Sequence, residues 1–573
     1  MSTETAATPV PSRSRSRITS IAMLFVALIL VGIGIVRVIT PNFDHALANL
    51  LTIGLSFLAW LVATVGCLAS SGLRSIGIGL GFGPPLALGG FLALNKFERF
   101  DAEMLPHFSS RWAKTTELRD KLPAEELKAA DGIFDSKESD YPQFLGPNRD
   151  AKVAFDIAED WKSRPPEIIW KQPIGEGWSG FAIQGDAAIT MEQRDDSEWV
   201  SAYSVADGSL LWKHSINALH STVPGGTGPR STPLIAANRV YACSAVDRFV
   251  CLDLATGQEI WSQNLLELAS VSQEEFEKNV AWGRSASPLI VGRLVLVPFG
   301  GPKERPQTLI AFDAETGEER WRSGEGQAGY SSPVQMTLGG KLQVLLVSEE
   351  KVASFDPATG KELWQSEWPG VSNADPAVAH PVQVNDSQIL LGKGYGEGSQ
   401  LLEVRQDGGG WIVNEIWRSR RTMKTKFNTA VVLDGYAYGL SDGILECIDV
   451  SNGERVWKRG RYRHGQTLLL NDKLLVLTES GKLVLVEATP SEHEELAEFE
   501  VIGDVSWNTM ALSGDRLLIR NSTEAACVRL PSTSTATEQS QPLASATTPS
   551  SSSAQPSDSD NSAGKTEDAT ADE

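Results

Sequence analysis

The chain has 573 residues, of which 72 are acidic and 51 are lysine or arginine, so its net charge near neutral pH is −21. Such an acidic surface repels nucleic-acid phosphates, which excludes general nucleic-acid binding, and the length allows one large domain with appendages. Five cysteines are too few for a disulfide framework. Cys243 and Cys251 would face each other if residues 245–249 formed a turn. They are either an oxidised pair or two small core residues.

Three uncharged, apolar stretches occupy residues 18–36, 46–69 and 75–94. As helices that rise about 1.5 Å per residue, each can cross the roughly 30 Å hydrocarbon core of a bilayer. A cleaved signal peptide would not be followed by two more such stretches. The third contains Gly83-Pro84-Pro85, which would kink a helix.

The arginines beside these stretches predict how the chain crosses the membrane. Arg13, Arg15 and Arg17 precede the first stretch, and Arg74 lies between the second and the third. The positive-inside bias places both sites in the cytoplasm. Three crossings then place the chain after Lys96 on the outer face, which is the periplasm in a bacterium with two membranes. We therefore predict a multi-pass inner-membrane protein with a basic cytoplasmic N-terminus (1–17), three spans (18–95) and a periplasmic remainder.

The segments on either side of the main domain have distinct compositions. Residues 96–140 are charged, and 116–130 mix leucine with glutamate and lysine, which predicts a helical stalk. Residues 531–573 consist mainly of Ser, Thr, Pro, Ala and acidic residues, contain no aromatic residue and have a net charge of −6. Such a tail cannot bury a core and is predicted to be disordered.

A repeated motif, Asp-x-x-x-Gly-x-x-x-Trp, predicts the fold of residues 141–530. Clear copies occupy 253–261, 313–321, 356–364 and 449–457, and 204–212 has Ser in place of Asp. Looser copies end at Trp170, Trp417 and Phe499. The copies end 40 to 60 residues apart, so each repeat is one unit that needs neighbours to bury its faces.

The motif has a structural explanation. An apolar strand ends at Asp253, whose carboxylate can accept hydrogen bonds from turn N–H groups, and Gly257 can take a positive φ. Trp261, on the next strand, is large enough to fill the gap between adjacent sheets. Two more strand-like runs precede the motif at 233–236 and 240–244. Four strands in about 40 residues are typical of a β-propeller blade.

The number of repeats predicts how the ring closes. After Phe499, the strand-like runs 509–512, 516–520 and 525–530 lack a fourth strand, which the unpaired run 167–173 can supply. The first and last segments would then share a blade and leave no exposed edge. The predicted fold is all-β, an eight-bladed propeller of four-stranded antiparallel blades that follows the transmembrane helices. Seven blades remain the alternative if Phe499 does not end a repeat.

The propeller region resembles a known family. The stretch Asp140-Tyr-Pro-Gln-Phe-Leu-Gly-Pro-Asn-Arg149 and the runs at 165–171, 228–233, 282–288, 328–333 and 442–447 are similar to those of bacterial propellers with pyrroloquinoline-quinone-like repeats. The resemblance covers about residues 140–530. It implies one of two functions: a quinoprotein dehydrogenase that holds the quinone and a calcium ion on the axis, or a cofactor-free scaffold that assembles outer-membrane proteins. Repeats alone do not choose between them.

The sequence lacks most signals for catalysis. It has no adjacent cysteine pair, no Cys-x-x-Cys-His haem site and no nucleophile elbow of the strand-to-helix kind, and no calcium-ligand set can be assigned. The histidines are not at metal-ligand spacing, so no metal site is predicted. The glycine-rich run 392–398 lies among strands rather than before a helix, so it is interpreted as a loop. A binding or assembly scaffold without a cofactor is therefore favoured, and a quinone- and calcium-dependent alcohol or sugar dehydrogenase is the alternative.

A ring of aligned positions predicts where a ligand or a partner would bind. In a propeller, the loops that precede the inner strands converge on one mouth of the axis. Blade by blade, the residues there are Trp178, Arg230, Trp282 with Arg284, Tyr330, Asn373, Lys426 with Asn428, His464, and Trp507 with Asn508. Aromatic, cationic and amide side chains together suggest a site for a small anionic ligand or a protein partner. The alternative is that these residues only end loops and fill the funnel.

Two further features are predicted at the same mouth. A basic run within nine residues contains Arg418, Arg420, Arg421, Lys424 and Lys426. It would attract a carboxylate, a phosphate or an acidic partner, or it is simply a solvated loop. An insertion at 265–280 is predicted to form a short helix that caps the mouth or contacts a partner.

Overall fold

The computed structural model describes residues 13–39, 45–70, 72–112, 131–222, 225–302, 304–327, 329–373 and 375–533. The chain divides into two compact units, residues 1–533 and 534–573. The second unit holds almost all of the predicted disordered tail and lies outside the described residues.

Three helices near the N-terminus are long and apolar enough to cross a membrane: α1 Arg13–Ile39, α2 His45–Ala69 and α3 Arg74–Leu94. The hydroxyl of Thr19 in α1 donates to the carbonyl oxygen of Gly66 in α2 (3.2 Å). At the other end of the pair, Arg37 Nη1 donates to Asn49 Oδ1 (2.9 Å). Because α1 and α2 are therefore antiparallel, the start of α1 lies at the same end as the connection to α3. The helices agree with the three predicted spans.

A β-hairpin follows α3. Strands β1 Asn95–Phe100 and β2 Pro106–Ser110 pair antiparallel, with Phe97 opposite Phe108. The rings of Phe91 and Phe108 lie 4.9 Å apart, and those of Phe97 and Phe108 lie 5.8 Å apart. The prediction of a helical stalk over 96–140 is wrong for residues 95–110, because cross-strand aromatic pairs stabilise a hairpin there. Residues 116–130, which gave that prediction, lie outside the described residues.

Most of the remaining described residues form four-stranded antiparallel sheets, consistent with a β-propeller. Two strands that come early in the chain, β3 Lys152–Val153 and β4 Glu167–Pro173, join the last two sheets of residues 1–533, which are described below. The first sheet contains β5 Ala182–Gln184, β6 Ala187–Arg194, β7 Ser197–Ser204 and β8 Leu210–Ile216. A two-stranded ribbon, β9 Ser221–Thr222 and β10 Gly226–Thr227, precedes the second sheet of β11 Leu234–Ala236, β12 Arg239–Cys243, β13 Arg248–Asp253 and β14 Glu259–Asn264.

The insertion after β14 forms two helices, α4 Leu265–Ala269 and α5 Gln273–Asn279, where one was predicted. Asn264 and Ser272 each accept backbone N–H groups as N-caps, which explains why the helix is interrupted. The third sheet follows with β15 Leu289–Val291, β16 Leu294–Gly300, β17 Gln307–Asp313 and β18 Glu319–Ser323. The fourth contains β19 Val334–Leu338, β20 Lys341–Val347, β21 Lys351–Phe355 and β22 Glu362–Glu367.

The later sheets repeat the same meander and bring the two ends of the propeller region together. The fifth contains β23 Val382–Asn385, β24 Gln388–Lys393, β25 Gly398–Asp407 and β26 Gly410–Ser419, and the sixth β27 Val431–Leu433, β28 Tyr436–Ser441, β29 Ile444–Asp449 and β30 Arg455–Arg461. The seventh contains β31 Gln466–Leu470, β32 Lys473–Leu477, β33 Lys482–Glu487 and β34 Glu495–Glu500, with β3 added parallel to β31. The eighth contains β35 Ala511–Ser513, β36 Arg516–Arg520, β37 Glu524–Arg529 and β4. The predicted pairing of the first and last segments is confirmed, since Arg529 lies opposite Glu167 and Glu524 opposite Pro173.

The repeated tryptophans and glycines connect neighbouring sheets. Trp212 in the first sheet donates its indole N–H to the carbonyl oxygen of Leu254 in the second (2.8 Å). Gly257 lies against the Trp212 ring, where an added Cβ would come within 2.4 Å of a ring atom. Its φ of +69° also favours glycine. The motif thus keeps a glycine because the neighbouring tryptophan occupies the space. The same contact joins Trp170 to Gly208, Trp261 to Gly317, Trp321 to Gly360 and Trp417 to Gly453.

The two cysteines of the second sheet are not opposite each other. In the observed register Cys243 pairs with Phe249, and Cys251 pairs with Tyr241. Both cysteines are buried and free, as small core residues. The oxidised pair considered from the sequence is therefore wrong, because the turn is shorter than the one assumed at 245–249. The Ser244 hydroxyl closes this turn by accepting the backbone N–H of Arg248 (2.8 Å).

Candidate functional site: a cavity at the mouth of the sheets

A cavity of about 640 Å³ lies where the loops of several sheets meet the hairpin and the start of α2. We call it the mouth cavity. Its lining combines aromatic rings, two cationic side chains and residues from the membrane-proximal segment. The lining residues used below are Ala46, Leu47, Leu50, Asp101, Ala102, Phe144, Trp178, Arg230, Trp282, Tyr330, Asn373, Asp375, Tyr395, Lys426, Phe427 and Trp507.

The turn of the hairpin, residues 101–105, covers the cavity, and we call it the roof turn. The Asp101 carboxylate accepts the backbone N–H groups of Glu103 (2.9 Å) and Leu105 (2.8 Å). Its other oxygen lies 3.3 Å from Arg463 Nη1, and the Asp101 side chain is only 2% exposed. The roof turn is therefore shaped and attached by one buried carboxylate.

Further contacts attach the roof turn on both sides. Lys426 Nζ donates to the carbonyl oxygen of Ala102 (3.1 Å), and Arg99 forms an ion pair with Asp504. From the opposite side, Asn49 Nδ2 in α2 donates to the carbonyl oxygen of Glu103 (2.7 Å). Segments distant in sequence thus hold the turn between α2 and the sheets. None of these contacts has a local sequence signal.

The segment 141–150, which carries part of the family-like motif, forms another wall of the cavity through Phe144. Arg149 is 2% exposed and donates to the carbonyl oxygens of Pro288 and Pro333, just before the inner strands β15 and β19. Burial lowers the pKa of Arg149 to about 9. His380 lies 2.8 Å from the carbonyl oxygen of Arg149 and fixes the segment from a third sheet. The motif therefore fastens this wall to the inner ends of the sheets.

Two cationic side chains, Arg230 and Lys426, line the cavity. Arg230 donates to the carbonyl oxygens of Gly228 (3.1 Å) and Gly225 (2.6 Å). Burial lowers the pKa of Arg230 to about 10. Lys426 Nζ lies 4.7 Å from the centre of the Tyr395 ring. Behind Arg230, burial raises the pKa of Glu198 to about 7, which weakens its charge as a counter-ion.

The carboxylates of the lining are already engaged. Asp101 holds the roof turn, as described above. Asp375 lies 3.3 Å from Lys393 Nζ and accepts the backbone N–H of Val371 (2.9 Å). The arrangement therefore favours an anion near Arg230 over a cation.

Aromatic rings form the rest of the site. Trp282 and Tyr330 are stacked, with centroids 5.3 Å apart. Trp507 lies 4.7 Å from Trp178 and 5.1 Å from Phe427. Trp507 is oriented by its indole N–H, which donates to Glu479 Oε1 (2.8 Å). The buried indole N–H of Trp178 has no hydrogen-bond partner among the described residues. These rings offer flat apolar faces beside the two cations.

The structure brings seven of the eleven predicted mouth residues to this cavity. They are Trp178, Arg230, Trp282, Tyr330, Asn373, Lys426 and Trp507. Asn373 also accepts the backbone N–H of Ala281 (2.9 Å), so it anchors the end of the insertion. The aligned register therefore predicted most of these positions.

Four predicted residues lie beside the cavity but do not line it. Arg284 donates to the carbonyl oxygens of Val246 and Phe299 (both 3.0 Å) and lies over the Phe276 ring. Asn428 bonds the backbone of Leu440, and Asn508 donates to the carbonyl oxygen of Ser179 (2.9 Å). Burial and nearby Lys426 hold the pKa of His464 well below its ordinary value. The hydrogen bonds of Arg284, Asn428 and Asn508 therefore support loops, whereas neither ring nitrogen of the buried His464 has a hydrogen-bond partner among the described residues.

The basic run contributes one side chain, Lys426, to the lining. Arg418 pairs with Glu397, and the buried Lys424 lies 2.5 Å from Asp442. Arg420 and Arg421 are exposed. The charged side chains of the basic run are thus mostly paired with carboxylates or exposed to solvent, and they do not form one shared anion-binding site among the described residues.

Sequence reasoning missed every lining residue from the N-terminal part of the chain. Ala46, Leu47 and Leu50 belong to a predicted span, and Asp101 and Ala102 to the predicted stalk. Their place at the site depends on how the hairpin docks, which local patterns do not report. A group of three or more His, Cys, Asp or Glu side chains that could hold a metal ion is absent from the described part of the chain.

Comparison with known proteins agrees with the repeats. A family model described as outer membrane protein assembly factor BamB matches residues 196–459. The chain is 11% identical to a europium-containing methanol dehydrogenase, with a TM-score of 0.52 over 69% of this chain and 99% of that one. It is 13% identical to quinohemoprotein alcohol dehydrogenase from Comamonas testosteroni (TM-score 0.50, 70% of this chain and 82% of that one). BamB from Moraxella catarrhalis is 16% identical, with a TM-score of 0.43 over 64% of this chain and 98% of that one. The two dehydrogenase comparisons, with TM-scores of 0.52 and 0.50 at such low identity, show a shared fold alone. No curated protein matches the chain.

Proposed function

The chain carries a propeller of the pyrroloquinoline-quinone-like repeat family, and on that premise we propose that it is a membrane-anchored binding module whose mouth cavity holds a small anionic ligand. Seven four-stranded sheets, one five-stranded sheet and the pairing of β4 with β37 support an eight-bladed, closed ring over residues 141–530. Closure of this kind leaves no free edge for aggregation.

The proposed location is the inner membrane, with the propeller in the periplasm. Three membrane-length helices and the positions of Arg13, Arg15, Arg17 and Arg74 support this topology. The start of α1 and the α2–α3 connection lie at one end of the helices, and the hairpin leaves from the other end. Both arginine sites would therefore lie on the side of the membrane opposite the propeller.

The observation that carries the proposal is the chemistry of the mouth cavity. Arg230 lies among aromatic rings and donates to the backbone carbonyl oxygens of Gly225 and Gly228. The lining carboxylates Asp101 and Asp375 are bonded to backbone N–H groups and to cations. A volume of about 640 Å³ is within the range of roughly 300–1,000 Å³ that is usual for small-ligand sites. Because Asp101, Ala102 and Met104 of the roof turn line the cavity, we propose a small ligand there rather than the protein partner that the sequence also allowed.

The residues present do not fit the quinone and calcium pair of the alternative function. Calcium takes six to eight oxygen ligands, usually including several carboxylates. The cavity offers Asp101 and Asp375, and both are committed to backbone N–H groups and cations. A dehydrogenase reaction is therefore not proposed for this site.

The test uses the full chain in lipid nanodiscs. Bound small molecules are extracted from the purified protein and quantified by mass spectrometry, with Arg230→Ala and the charge-preserving Arg230→Lys as variants. A charge-assisted contact is worth roughly 1.5–3 kcal/mol, so Arg230→Ala should weaken retention about ten- to hundredfold, and Arg230→Lys should weaken it less.

The matched control is Arg529→Ala. Arg529 pairs with Glu167 on the closing sheet and does not line the cavity. This variant should retain the ligand at the level of the unmodified chain. Equal retention by Arg230→Ala and Arg529→Ala would contradict a binding site at the mouth.

A further inference from the structure

We infer that the mouth side of the sheets, the end at which the mouth cavity lies, rests on the membrane surface, where exposed arginines meet the head groups of anionic phospholipids. We call these arginines the basic lip. Arg420 and Arg421 follow β26, Arg461 ends β30, and Arg463 comes two residues later. This surface lies outside the mouth cavity, and its role rests on the proposed membrane location, in either orientation of the helices.

The length of α2 limits the distance between the sheets and the bilayer. Its 25 residues, at about 1.5 Å per residue, span about 37 Å, which exceeds the roughly 30 Å hydrocarbon core by only about 7 Å. Ala46, Leu47 and Leu50, in the first turns of α2, line the mouth cavity. They therefore lie inside the hydrocarbon or no more than about 7 Å outside it. The loops that share the cavity with them lie at the level of the head groups.

Two arginines of the basic lip are attached at this level. Arg463 Nη1 lies 3.3 Å from Asp101 Oδ2, and Arg461 Nη1 lies 3.6 Å from Glu103 Oε1, both in the roof turn. The carbonyl oxygen of Glu103 accepts a hydrogen bond from Asn49, in the second turn of α2 (2.7 Å). Both arginine side chains are still about half exposed, so their remaining N–H groups can reach lipid head groups.

Arg420 occupies the equivalent place one sheet earlier. Gly443, in the turn between β28 and β29, lies against Arg463, and Gly398, at the start of β25, lies against Arg420. A Cβ added to either glycine would come 2.7 Å from the Cα of its arginine. Because the two repeats share this contact, Arg420 lies at the same end of the sheets as Arg463. Arg420 and Arg421 are exposed, and no carboxylate pairs with either side chain in the described part of the chain.

The charge of the basic lip is opposite to that of the chain as a whole. The net charge of the chain is −21, and the turn between β6 and β7, on the mouth side of the first sheet, exposes Asp195 and Asp196. An anionic membrane repels that edge and attracts the basic lip. Each basic side chain near an anionic surface changes the binding equilibrium about fivefold, within a Debye length of about 8–10 Å. A bilayer offers many head groups, so the arginines need not converge on one ion.

Exposed apolar and aromatic side chains accompany the arginines. Val371, in the loop before β23, and Leu219, after β8, are exposed on the mouth side, and Trp112 is exposed just after the hairpin. Tryptophan is enriched at membrane–water interfaces, and apolar side chains there reach the hydrocarbon. A membrane surface accounts for both kinds of exposed side chain, whereas an acidic protein partner accounts only for the arginines.

The experiment measures contact between a fluorescent dye and lipid head groups in nanodiscs that carry the full chain. All five cysteines are buried, so the dye couples selectively to an introduced cysteine. Val371→Cys labels the mouth side, because the backbone N–H of Ser372 donates to Glu349 in the turn between β20 and β21 (2.6 Å). Leu342→Cys labels the other end of β20, and the two positions are similarly exposed (50% and 43%). Lipids with a nitroxide on the head group should quench the dye at position 371 and not the dye at position 342.

Lipid composition and the basic lip test the role of charge. Phosphatidylcholine alone should give less quenching at position 371 than an equal mixture with phosphatidylglycerol. Arg420→Gln combined with Arg421→Gln should weaken docking on the mixture about 30-fold, and the charge-preserving pair Arg420→Lys and Arg421→Lys should retain it. The matched control is Lys162→Gln combined with Lys361→Gln, because these exposed lysines precede β4 and β22 and lie away from the mouth loops. It should leave the quenching unchanged.

Equal quenching at positions 371 and 342 would overturn the contact between the mouth side and the membrane. Quenching that changes neither with phosphatidylglycerol nor with the two glutamine substitutions would overturn the role of anionic head groups. Retention of the cavity ligand is tested at Arg230 and does not involve the basic lip. Failure of the membrane contact and failure of the proposed function are therefore distinguishable.

Discussion

Replacing Asp101 with Ala should release the roof turn while leaving the sheets intact. The buried carboxylate accepts two backbone N–H groups and pairs with Arg463. Each of the two charge-assisted hydrogen bonds contributes roughly 1–2 kcal/mol, and the pair with Arg463, which is 47% exposed, adds less than 1 kcal/mol. The opening of the turn should therefore become easier by about 2–4 kcal/mol.

Hydrogen–deuterium exchange of the full chain in nanodiscs measures this opening. A change of 2–4 kcal/mol corresponds to exchange that is about 30- to 700-fold faster at β1 and β2, with unchanged exchange in β27–β30. Asp186→Ala is the control, because Asp186 forms an exposed ion pair with Lys137 and holds no turn. Unchanged exchange at the hairpin, or an equal increase throughout the sheets, would refute the view that Asp101 fastens the roof.

Three further predictions concern the motif, a buried acid and the alternative function. Gly257→Ala places a Cβ within 2.4 Å of the Trp212 ring and should lower the free energy of unfolding, measured with denaturant, by about 2–4 kcal/mol. Gly435→Ala, where φ is also positive but no atom lies within 4 Å, should lower it by only about 1 kcal/mol. Equal losses in the two variants would contradict the packing role of Gly257. Burial raises the pKa of Glu198 from its ordinary 4.5 to about 7, so the folded state binds more protons than the unfolded state between these values, and stability should fall by about 3 kcal/mol as pH rises from 4.5 to 7. Glu198→Gln should remove this part of the pH dependence of stability. If the free energy of unfolding of the variant and of the unmodified chain changes equally between pH 4.5 and 7, Glu198 is not the cause of that dependence. Incubation of the purified chain with pyrroloquinoline quinone, calcium and an alcohol should give no reduction of an artificial electron acceptor, and reduction above that of a heated sample would refute the proposal of a binding module.

The repeat was readable from the sequence because its interactions are local or recur at a fixed spacing. Asp253 accepts the backbone N–H of Thr256 (2.9 Å) within its own turn, and Gly257 packs on the tryptophan of the preceding repeat. The closing strand was predictable as well, because a count of strands left 167–173 without a partner. Periodic patterns thus determined the sheets and which segments join them.

The cavity was predicted only in part, because register places a residue but does not orient its side chain. Arg284 follows Gly283, whose φ is +73°, and the turn directs its guanidinium to the carbonyl oxygens of Val246 and Phe299. Arg230 aligns with Ser285 when both loops are counted back from the proline before the inner strand, and Ser285 also lines the cavity, whereas Arg284 lies one residue earlier. The roof turn could not be predicted, because Arg99 and Asp504 are 405 residues apart and no periodicity connects them.

The membrane segment contributes more than attachment, because α2 and the hairpin complete the site. Without residues 45–110, the cavity would lose Ala46, Leu47, Leu50, Asp101, Ala102 and Met104 from its lining. Lys426 Nζ would also lose its hydrogen bond to the carbonyl oxygen of Ala102 and would keep its contact with the Tyr395 ring. A free propeller would therefore present a wider, more solvated mouth with weaker attraction for an anion, since water screens its charges. Under the proposed function, ligand binding is thus expected to depend on the intact junction between α2, the hairpin and the sheets, and measurements on residues 141–530 alone would underestimate the affinity.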